Sequence, residues 1–323
     1  MSFHPARIPS LLLAFSLAAC AVAPPKNAPP AAGNLPTPIP GISGMAPLGN
    51  GYYLIVVDTK SFSDAPRFGL LDPVVKGGSR FTALQVRNWD EVGGKSNDLE
   101  AVCALKDRMG EFLAIESSYR DAEYGRVMHV RVRGGQVEIA RAMPLPKERS
   151  NGKDGMGYEG LACRRIGPDR YLLALGERGG SRLRPRGTLR FGEFDAASGT
   201  LRWQSDETPL LAPGNWLIVP PHRDLADLYV DDDGVLWAVA ASDPDEYGPF
   251  RSLVWSPGRM GDSLASPYFP APDREPRWVV DGFKVEAVSA PDPRISASVL
   301  SIGSEDEKLG GVWRALGPSN ARD

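Results

Sequence analysis

From residue 41 onward, one pattern of apolar and polar positions recurs along the chain. A strand of small and apolar residues is followed by a turn, and a second apolar strand then ends near an acidic residue. Five copies are present, at residues 41–59, 97–118, 157–178, 226–244 and 285–307. Ser43, Glu100, Glu159, Asp227 and Glu286 occupy equivalent positions, spaced by roughly sixty residues. Each repeat is therefore long enough for four strands.

The third repeat contains all four expected strands, separated by turns such as Gly167-Pro168-Asp169. They are predicted at Gly160–Arg164, Tyr171–Leu175, Thr188–Asp195 and Thr200–Gln204. Short strands in radial four-stranded sheets predict an all-β fold, a β-propeller. Five copies favour five blades, and six is the alternative if a degenerate blade lies between the third and fourth copies. The last repeat shows only three strands, so we expect the segment entering from Pro40 to supply the fourth and close the ring.

Composition narrows the classes of function. The 323 residues include 35 Gly and 30 Pro, which break helices and argue against a helical bundle. With 37 basic and 40 acidic residues, the net charge of −3 gives no electrostatic reason to bind nucleic acid. Only three His and three Cys are present, which argues against a zinc site built from them. Any chemistry must therefore rest on carboxylates, Arg, Ser and backbone groups. We expect a monomer.

The N-terminus carries an export signal. Residues 1–19 hold Arg7 and then an apolar run, which is typical of a signal peptide and too short to span a bilayer. The run ends in Leu17-Ala18-Ala19-Cys20, which resembles the lipobox of bacterial lipoproteins, whereas Ala21-Val22-Ala23 is the alternative cleavage site. We expect an outer-membrane lipoprotein facing the periplasm, attached to the membrane only through lipidated Cys20. Residues 20–40 then form a Pro/Ala-rich tether, 41–317 the propeller and 318–323 a tail.

The equivalent positions bring acids together. The first strand of each propeller blade lines a central channel, so the residues that begin these strands meet at one end of the axis. We expect Glu100, Glu159, Asp227 and Glu286 there as metal ligands, and the second strands return Asp58, Glu116, Glu177, Asp243 and Glu305 to the same face. Such crowding requires raised pKa values, intruding basic groups or a bound cation. Oxygen ligands without His or Cys favour Ca²⁺ or Mg²⁺, and Ca²⁺ is our hypothesis. The alternative is that each acid caps a turn by accepting backbone N–H groups.

An arginine-rich segment follows Glu177 and is expected on the same face. It contains Arg178, Arg182, Arg184, Arg186 and Arg190. Guanidinium groups beside a metal can clamp phosphoryl oxygens, so Arg178 and Arg182 are candidate catalytic residues together with Glu100 and Glu159. His222 and Arg223, in the loop that enters the fourth repeat, are further candidates on the same face. The alternative is a solvated loop held by salt bridges.

The motifs around the acids resemble those of known propellers. Asn97-Asp98-Leu99-Glu100-Ala101, Tyr158-Glu159-Gly160-Leu161-Ala162 and Lys284-Val285-Glu286-Ala287-Val288 are similar to the D-x-E-G repeats of phytase-like and SdiA-regulated bacterial propellers. Gly248-Pro249-Phe250-Arg251 to Trp255 resembles a strand of a related bacterial propeller family of unknown function. The resemblance spans about residues 41–317. It implies Ca²⁺-assisted hydrolysis of phosphoesters or esters, with Glu100, Glu159 and Glu286 at the channel mouth. Two copies depart from the motif, with Ser43-Gly44 and Asp227-Leu228.

Two functions remain open. We favour a binding or scaffold module with an axial Ca²⁺ site, whose partner is an envelope protein or an anionic small molecule. The alternative is a Ca²⁺-dependent phosphoesterase or esterase of the phytase-like type. Cys103 and Cys163 lie on opposite faces of equivalent strands in adjacent repeats, where neighbouring blades meet. A disulfide and two buried thiols are therefore both compatible with the sequence.

Overall fold

The computed structural model of the chain describes residues 38–59, 65–75, 78–117, 125–146, 157–180, 185–214, 222–242, 247–273, 275–306 and 309–319, together with residue 244. Within these residues the regular secondary structure is β-strand, apart from one 3-10 turn at Trp89–Val92. None of them belongs to a helix long and apolar enough to cross a membrane. Cys20 and the signal peptide fall outside the described part of the chain.

The first two repeats form one sheet of eight strands. The first repeat supplies β1 (Gly44–Gly49), β2 (Tyr52–Val56), β3 (Phe68–Val75) and β4 (Gly78–Val86). The second supplies β5 (Leu99–Ala104), β6 (Glu111–Glu116), β7 (Arg126–Arg133) and β8 (Gln136–Pro144). Each set is an antiparallel meander, and the two sets join only where β4 and β8 run parallel, with Gln85 opposite Gln136 and Val86 opposite Val137. The predicted four-strand unit is therefore present twice in this sheet.

The remaining repeats form three separate sheets. The third contains β9 (Tyr158–Gly167), β10 (Arg170–Glu177), β11 (Gly187–Asp195) and β12 (Thr200–Leu210), which confirms the four predicted strands with longer ends. The fourth contains β13 (His222–Val230), β14 (Val235–Ser242), β15 (Arg251–Ser263), β16 (Ser266–Pro270) and β17 (Trp278–Asp281), the last two pairing with different parts of β15. The last sheet contains β18 (Val285–Ser289), β19 (Leu300–Ser304) and β20 (Trp313–Leu316).

The first strands of the five sets contact one another in cyclic order. The strand β1 contacts β5, β5 contacts β9, β9 contacts β13, β13 contacts β18, and β18 contacts β1. A separate apolar core fills the space between each pair of neighbouring sets. Ile42, Met45 and Ala287, for example, belong to the core between the last set and the first. The protein is a β-propeller, as the repeat predicts.

The ring closes differently from our expectation of a fourth strand from the segment after Pro40. Residues 38–43 form no strand, although they contact the last sheet. The Ile42 N–H donates to the Ser304 carbonyl at 3.0 Å, and the Gly311 N–H donates to the Ile39 carbonyl at 3.0 Å. Ile42 is completely buried. The N-terminal segment is thus attached to the last sheet by two backbone hydrogen bonds and by the buried side chain of Ile42.

Candidate functional site

The three motif glutamates occupy the same local structure, a β-bulge near the start of an inner strand. Leu99 pairs with Glu116 and Ala101 with Ile115, so Glu100 is an extra residue in β5. Glu159 of β9 and Glu286 of β18 are extra residues in the same way. A bulge breaks the alternation of side-chain direction and re-aims the extra residue. Because all three glutamates lie at the same kind of bulge, their carboxylates turn to the same end of the channel.

The small residue after each glutamate lets neighbouring inner strands approach closely. A Cβ placed on Gly160 would lie 2.9 Å from the Leu228 side chain and 3.1 Å from the Asp227 carbonyl carbon. A Cβ on Gly44 would lie 2.7 Å from the Ala101 Cα. The Gly or Ala that follows the acid in the motif is therefore required by packing around the axis.

Three carboxylates form an anionic cluster at this end of the channel. Asp58, Asp98 and Glu100 each offer an oxygen within 4.8 Å of the other two. Glu100 is 7 % exposed, and among the described residues its carboxylate has no hydrogen-bond or ion-pair partner. Burial raises the pKa of Glu100 well above its ordinary value, and the charges of Glu159, Asp58, Asp98 and Glu286 raise it further. The group is thus poised to share a cation or retain a proton.

The first repeat contributes Asp58 to this cluster, not the residue at the motif position. Ser43 stands where the other copies carry an acid, and its Oγ accepts the backbone N–H of Asp58 at 2.9 Å. Asp58 lies just after β2, so the first repeat contributes its carboxylate from the end of the second strand instead of the start of the first. Sequence reasoning placed Asp58 on this face but did not name it or Asp98 as a ligand. The signal for Asp98 was its position two residues before Glu100 in the motif.

Three basic residues occupy the opposite side of the ring. Arg223 lies 2.8 Å from Glu286 and 3.5 Å from Glu159, and Arg178 lies 3.5 Å from the second oxygen of Glu159. Lys284, which is almost fully buried, places its Nζ 3.1 Å from Glu286 Oε1. Lys284 stands two residues before its glutamate, where the second repeat carries Asp98. The sequence analysis named Arg178 and Arg223 as candidates on this face but missed Lys284.

Glu286 and Glu305 form a coupled acid pair. Burial raises the pKa of Glu305, and the charge and hydrogen bond of Glu286 raise it further. Burial also disfavours the charged form of Glu286, but Arg223, the hydrogen bond from Glu305 and Lys284 together hold its pKa below the ordinary value. When the pair holds one proton, that proton therefore resides on Glu305, which donates it to the Glu286 carboxylate.

Asp227 occupies the position in its repeat that corresponds to the motif glutamates, but its carboxylate binds backbone N–H groups. It is 1 % exposed, and its Oδ2 accepts the Val288 N–H at 2.8 Å. The N–H groups of Leu228 and Leu161 also lower its pKa, but burial is the larger effect and raises it well above its ordinary value. Asp227 thus ties β13 to the inner strands on either side. This geometry matches the alternative of capping, and of the four predicted metal ligands only Glu100 belongs to the three-carboxylate cluster.

Acids at the ends of the second strands also bind protein groups. Glu116 is completely buried, accepts the Asn97 N–H at 3.1 Å and pairs with Arg126 at 2.6 Å. Burial raises the pKa of Glu116, and Arg126 partly offsets this. Glu177 accepts the Thr188 hydroxyl at 3.1 Å. These acids fix the junctions between second and third strands.

Several predicted site residues fall outside the described part of the chain. Arg182, Arg184 and Asp243 are among them. His222 is described only as backbone at the start of β13, opposite Ser242. Their roles stay predictions.

The described residues of the cluster fit a hard cation. Three carboxylates offer only oxygen donors, and one of them is buried without a protein partner, which is the donor chemistry that Ca²⁺ and Mg²⁺ prefer. Zinc would require nitrogen or sulfur ligands that this cluster lacks. Metal binding by Glu100, with Glu159, Asp227 and Glu286, stays a prediction. The guanidinium and ammonium groups across the ring fit an anion beside that cation.

Comparison with solved structures finds propeller-like glycosidases of low sequence identity. An endo-1,4-beta-xylanase from Bacteroides thetaiotaomicron matches with a TM-score of 0.51 and 11 % identity, over 87 % of this chain and 95 % of that one. An endo-arabinase from the same organism matches with a TM-score of 0.50 and 9 % identity, over 90 % and 100 % of the two chains. At these identities the likeness concerns the fold alone. A search of curated proteins gave no match.

A family model decides the classification. The phytase-like model, described as the esterase-like activity of phytase, matches residues 37–243. That span includes Asp58, Asp98, Glu100, Glu159 and Arg223. Since it covers more than half of the chain, and the motif glutamates suggested the same group, this β-propeller belongs to the phytase-like family.

Proposed function

We propose that this protein is a hydrolase of phosphoesters or esters that uses a divalent cation, Ca²⁺ first among the candidates, at the acid end of its channel. The observation that carries the proposal is the division of the ring into two halves. Asp58, Asp98 and Glu100 form an anionic half, and three basic residues form the other. These are Arg178, Arg223 and Lys284. A metal and guanidinium groups in one site are suited to clamp a phosphoryl group. The description of the family model points to the same chemistry.

The proposal includes a ring of five blades. Five apolar cores between neighbouring sets of strands support five rather than six. The longer interval between the third and fourth repeats is partly filled by β12, which extends to Leu210. A five-membered ring leaves a narrow axis, so the bulged glutamates stand close enough to act on one substrate.

Each group then has a role set by its surroundings. A divalent cation bound by Asp58, Asp98 and Glu100 would supply Lewis acidity toward a phosphoryl or carbonyl oxygen. Arg178 binds the anionic part of the substrate, because its 3.5 Å contact with Glu159 is longer than a good hydrogen bond and is easily exchanged. Arg223 and Lys284 keep Glu286 charged in a buried position. Glu159, between two guanidinium groups, is the candidate general base.

The test is a thermal melt of the purified chain in EDTA and then with millimolar Ca²⁺ or Mg²⁺, paired with hydrolysis of para-nitrophenyl phosphate and para-nitrophenyl acetate. Binding to the native state at one hundred times Kd adds about 2.7 kcal/mol, which raises the melting temperature by several degrees. We expect this rise with Ca²⁺ and turnover of at least one ester only when the ion is present.

Glu100→Gln separates a ligand from a structural residue. In EDTA we expect the variant to melt at or above the wild-type temperature, because a buried charge near four other acids is removed. It should lose the rise with Ca²⁺ and the hydrolysis. Glu138→Gln, on an exposed part of β8, should keep both. If neither ion raises the melting temperature of the wild type and neither ester is hydrolysed, the hydrolase proposal is wrong.

A second candidate function rests on a different observation. Both carboxylate oxygens of Glu116 and one of Asp227 accept hydrogen bonds from protein groups, as expected for a binding or scaffold module whose acids only stabilise the blades. In that case Glu100→Gln would leave binding of an envelope partner unchanged, and no ion would shift the melt. Export as a lipoprotein anchored through Cys20 and facing the periplasm is part of either proposal, and palmitate labelling of wild type and Cys20→Ser in bacterial cells tests it.

A further inference from the structure

A large cavity lies at the other end of the channel. Its volume is about 960 Å³, within the usual range for sites that bind small organic molecules. The far halves of the inner strands of all five sets line it, together with the turns that follow them. None of the acids of the anionic cluster lines it.

Asp227 separates this cavity from the acid cluster. Val288, Leu161 and Leu228 line the cavity, and the N–H groups of the same three residues face the Asp227 carboxylate. Asp227 itself is 1 % exposed and does not line the cavity. The Asp227 carboxylate thus lies beside the wall of the cavity, between that wall and the acid end of the channel.

Part of the cavity wall is apolar. Met45, Val102, Leu161 and Val288 contribute to its wall, and so does the Cys103–Cys163 disulfide that joins β5 to β9. An apolar wall of this size favours a ligand with an apolar body, because burial of that body releases water from both surfaces.

Three basic groups at the mouth are paired with acids of the same lining. Lys106 contacts Asp232 at 2.8 Å, and Arg165 contacts Asp107 at 3.1 Å. Arg108, which also lines the cavity, contacts Glu111 at 3.0 Å. A charged ligand would have to displace one member of a pair, whereas an uncharged ligand passes them without loss.

One polar group inside the cavity lacks a protein partner. Tyr229 lines the cavity, is partly buried, and among the described residues its hydroxyl makes no hydrogen bond. Burial, and then Asp231 and Asp232, raise the pKa of Tyr229, so the hydroxyl is a neutral donor at physiological pH. Tyr53, also in the lining, differs because its hydroxyl contacts Ser301 at 2.9 Å.

We propose that this cavity is a second binding site, separate from the acid cluster, for an uncharged molecule with an apolar body and one hydrogen-bond acceptor that accepts the Tyr229 O–H. It is independent of the hydrolase proposal, because neither the cation nor the basic half of the ring takes part.

The probe that tests it is Prodan, an uncharged naphthalene dye with one ketone whose emission shifts to the blue in apolar surroundings. We expect saturable binding of one dye per chain to the purified protein. Tyr229→Phe should weaken binding about five-fold, the loss of one hydrogen bond. Tyr268→Phe removes a hydroxyl that donates to the Pro257 carbonyl outside the cavity, and should leave the affinity unchanged.

A second pair of variants keeps the test decisive. Val299 lies at the mouth and is 37 % exposed, so Val299→Trp should block entry without disturbing the core and abolish saturable binding. Leu309→Trp, at an exposed position outside the lining, should bind the dye like wild type. Glu100→Gln should also bind like wild type. No saturable binding to wild type, equal affinity in Tyr229→Phe, or loss of binding in folded Glu100→Gln would each overturn the proposal.

Discussion

At the scale of single residues, the buried acids differ by what lies beside them. Glu100 and Glu286 stand at equivalent bulges and are both buried. Glu100 faces other acids and has a raised pKa, whereas Glu286 faces Arg223 and Lys284 and has a lowered one. Burial penalises both, so the sign of the shift is decided by the neighbouring charges. Equivalent positions in a repeat therefore need not share a chemical role.

A second buried pair, outside the acid cluster, makes stability depend on pH. His129 Nε2 lies 2.8 Å from Glu111, and burial lowers the pKa of His129 below 6.5 despite this contact. The unfolded chain then binds more protons than the native protein below that pH, so stability falls as the pH falls through it. Arg108 and His129 outweigh burial and lower the pKa of Glu111, whose contribution is lost at still lower pH, below 4.5.

We expect His129→Gln, which keeps a donor near Glu111, to flatten this dependence. Urea unfolding at pH of about 7.5 and about 5 should show a smaller loss of unfolding free energy in the variant than in wild type. Glu111→Gln should change mainly the part of the profile below pH 4.5. Parallel profiles for wild type and His129→Gln would show that His129 does not titrate differently in the two states.

At the scale of elements, the inner strands combine a bulge with a small residue. The bulge re-aims the acid, and the Gly or Ala that follows allows the next strand to lie against the backbone. Both features are needed because the inner strands converge on one axis. The small residue of the D-x-E-G motif is thus needed for packing around the axis, in addition to the acid that forms the site.

Gly160→Ala tests this rule. The added Cβ would meet the backbone of Leu228 at 3.0 Å and that of Asp227 at 3.1 Å, which cannot move without shifting β13. We expect a loss of about 1–3 kcal/mol in unfolding free energy. Gly167→Ala, at the far end of the same strand, has its nearest neighbour at 3.8 Å and should be close to neutral by the same urea titration. Equal stabilities of the two variants would contradict close packing at Gly160.

At the scale of the whole molecule, the ring is held closed by contacts between residues distant in sequence. Ile42 joins the N-terminal segment to the last sheet, where a Cβ on Gly303 would lie 2.7 Å from its side chain. The Cys103–Cys163 disulfide links the inner strands β5 and β9 across a separation of 60 residues, with Cα atoms 5.8 Å apart. The disulfide, left open by the sequence, is therefore a bond between neighbouring sets of strands.

Removing that bond should destabilise the protein without opening the ring. For the double variant Cys103→Ser and Cys163→Ser, the entropy of a loop of this length predicts a loss of about 4 kcal/mol. Thermal melts of the variant and of wild type, with and without reductant, measure it. Reductant should lower the melting temperature of wild type alone. A variant as stable as oxidised wild type would contradict this contribution.

The sequence by itself determined the repeat, the strands of each repeat and which of those strands lies next to the axis. The four strands of the third repeat were predicted because alternating apolar residues and Gly/Pro turns are local signals. The convergence of Glu100, Glu159 and Glu286 was predicted because equivalent residues of a propeller meet at its axis. These inferences need only periodicity, which the chain carries in its residue order.

Tertiary structure alone decided which acids face which charges. Lys284 occupies the place of Asp98 in its repeat, and Asp227 turns to backbone amides instead of the cluster. The environment of Asp227 has no local signal, because it depends on backbone groups from another repeat, whereas the place of Lys284 two residues before Glu286 can be read from the sequence. The closure by Ile42 and the cavity beside Tyr229 depend in the same way on the curvature of the ring. A repeat fixes position along the axis, but the energy of a buried charge depends on every neighbour within a few ångströms, and only the folded ring selects those neighbours.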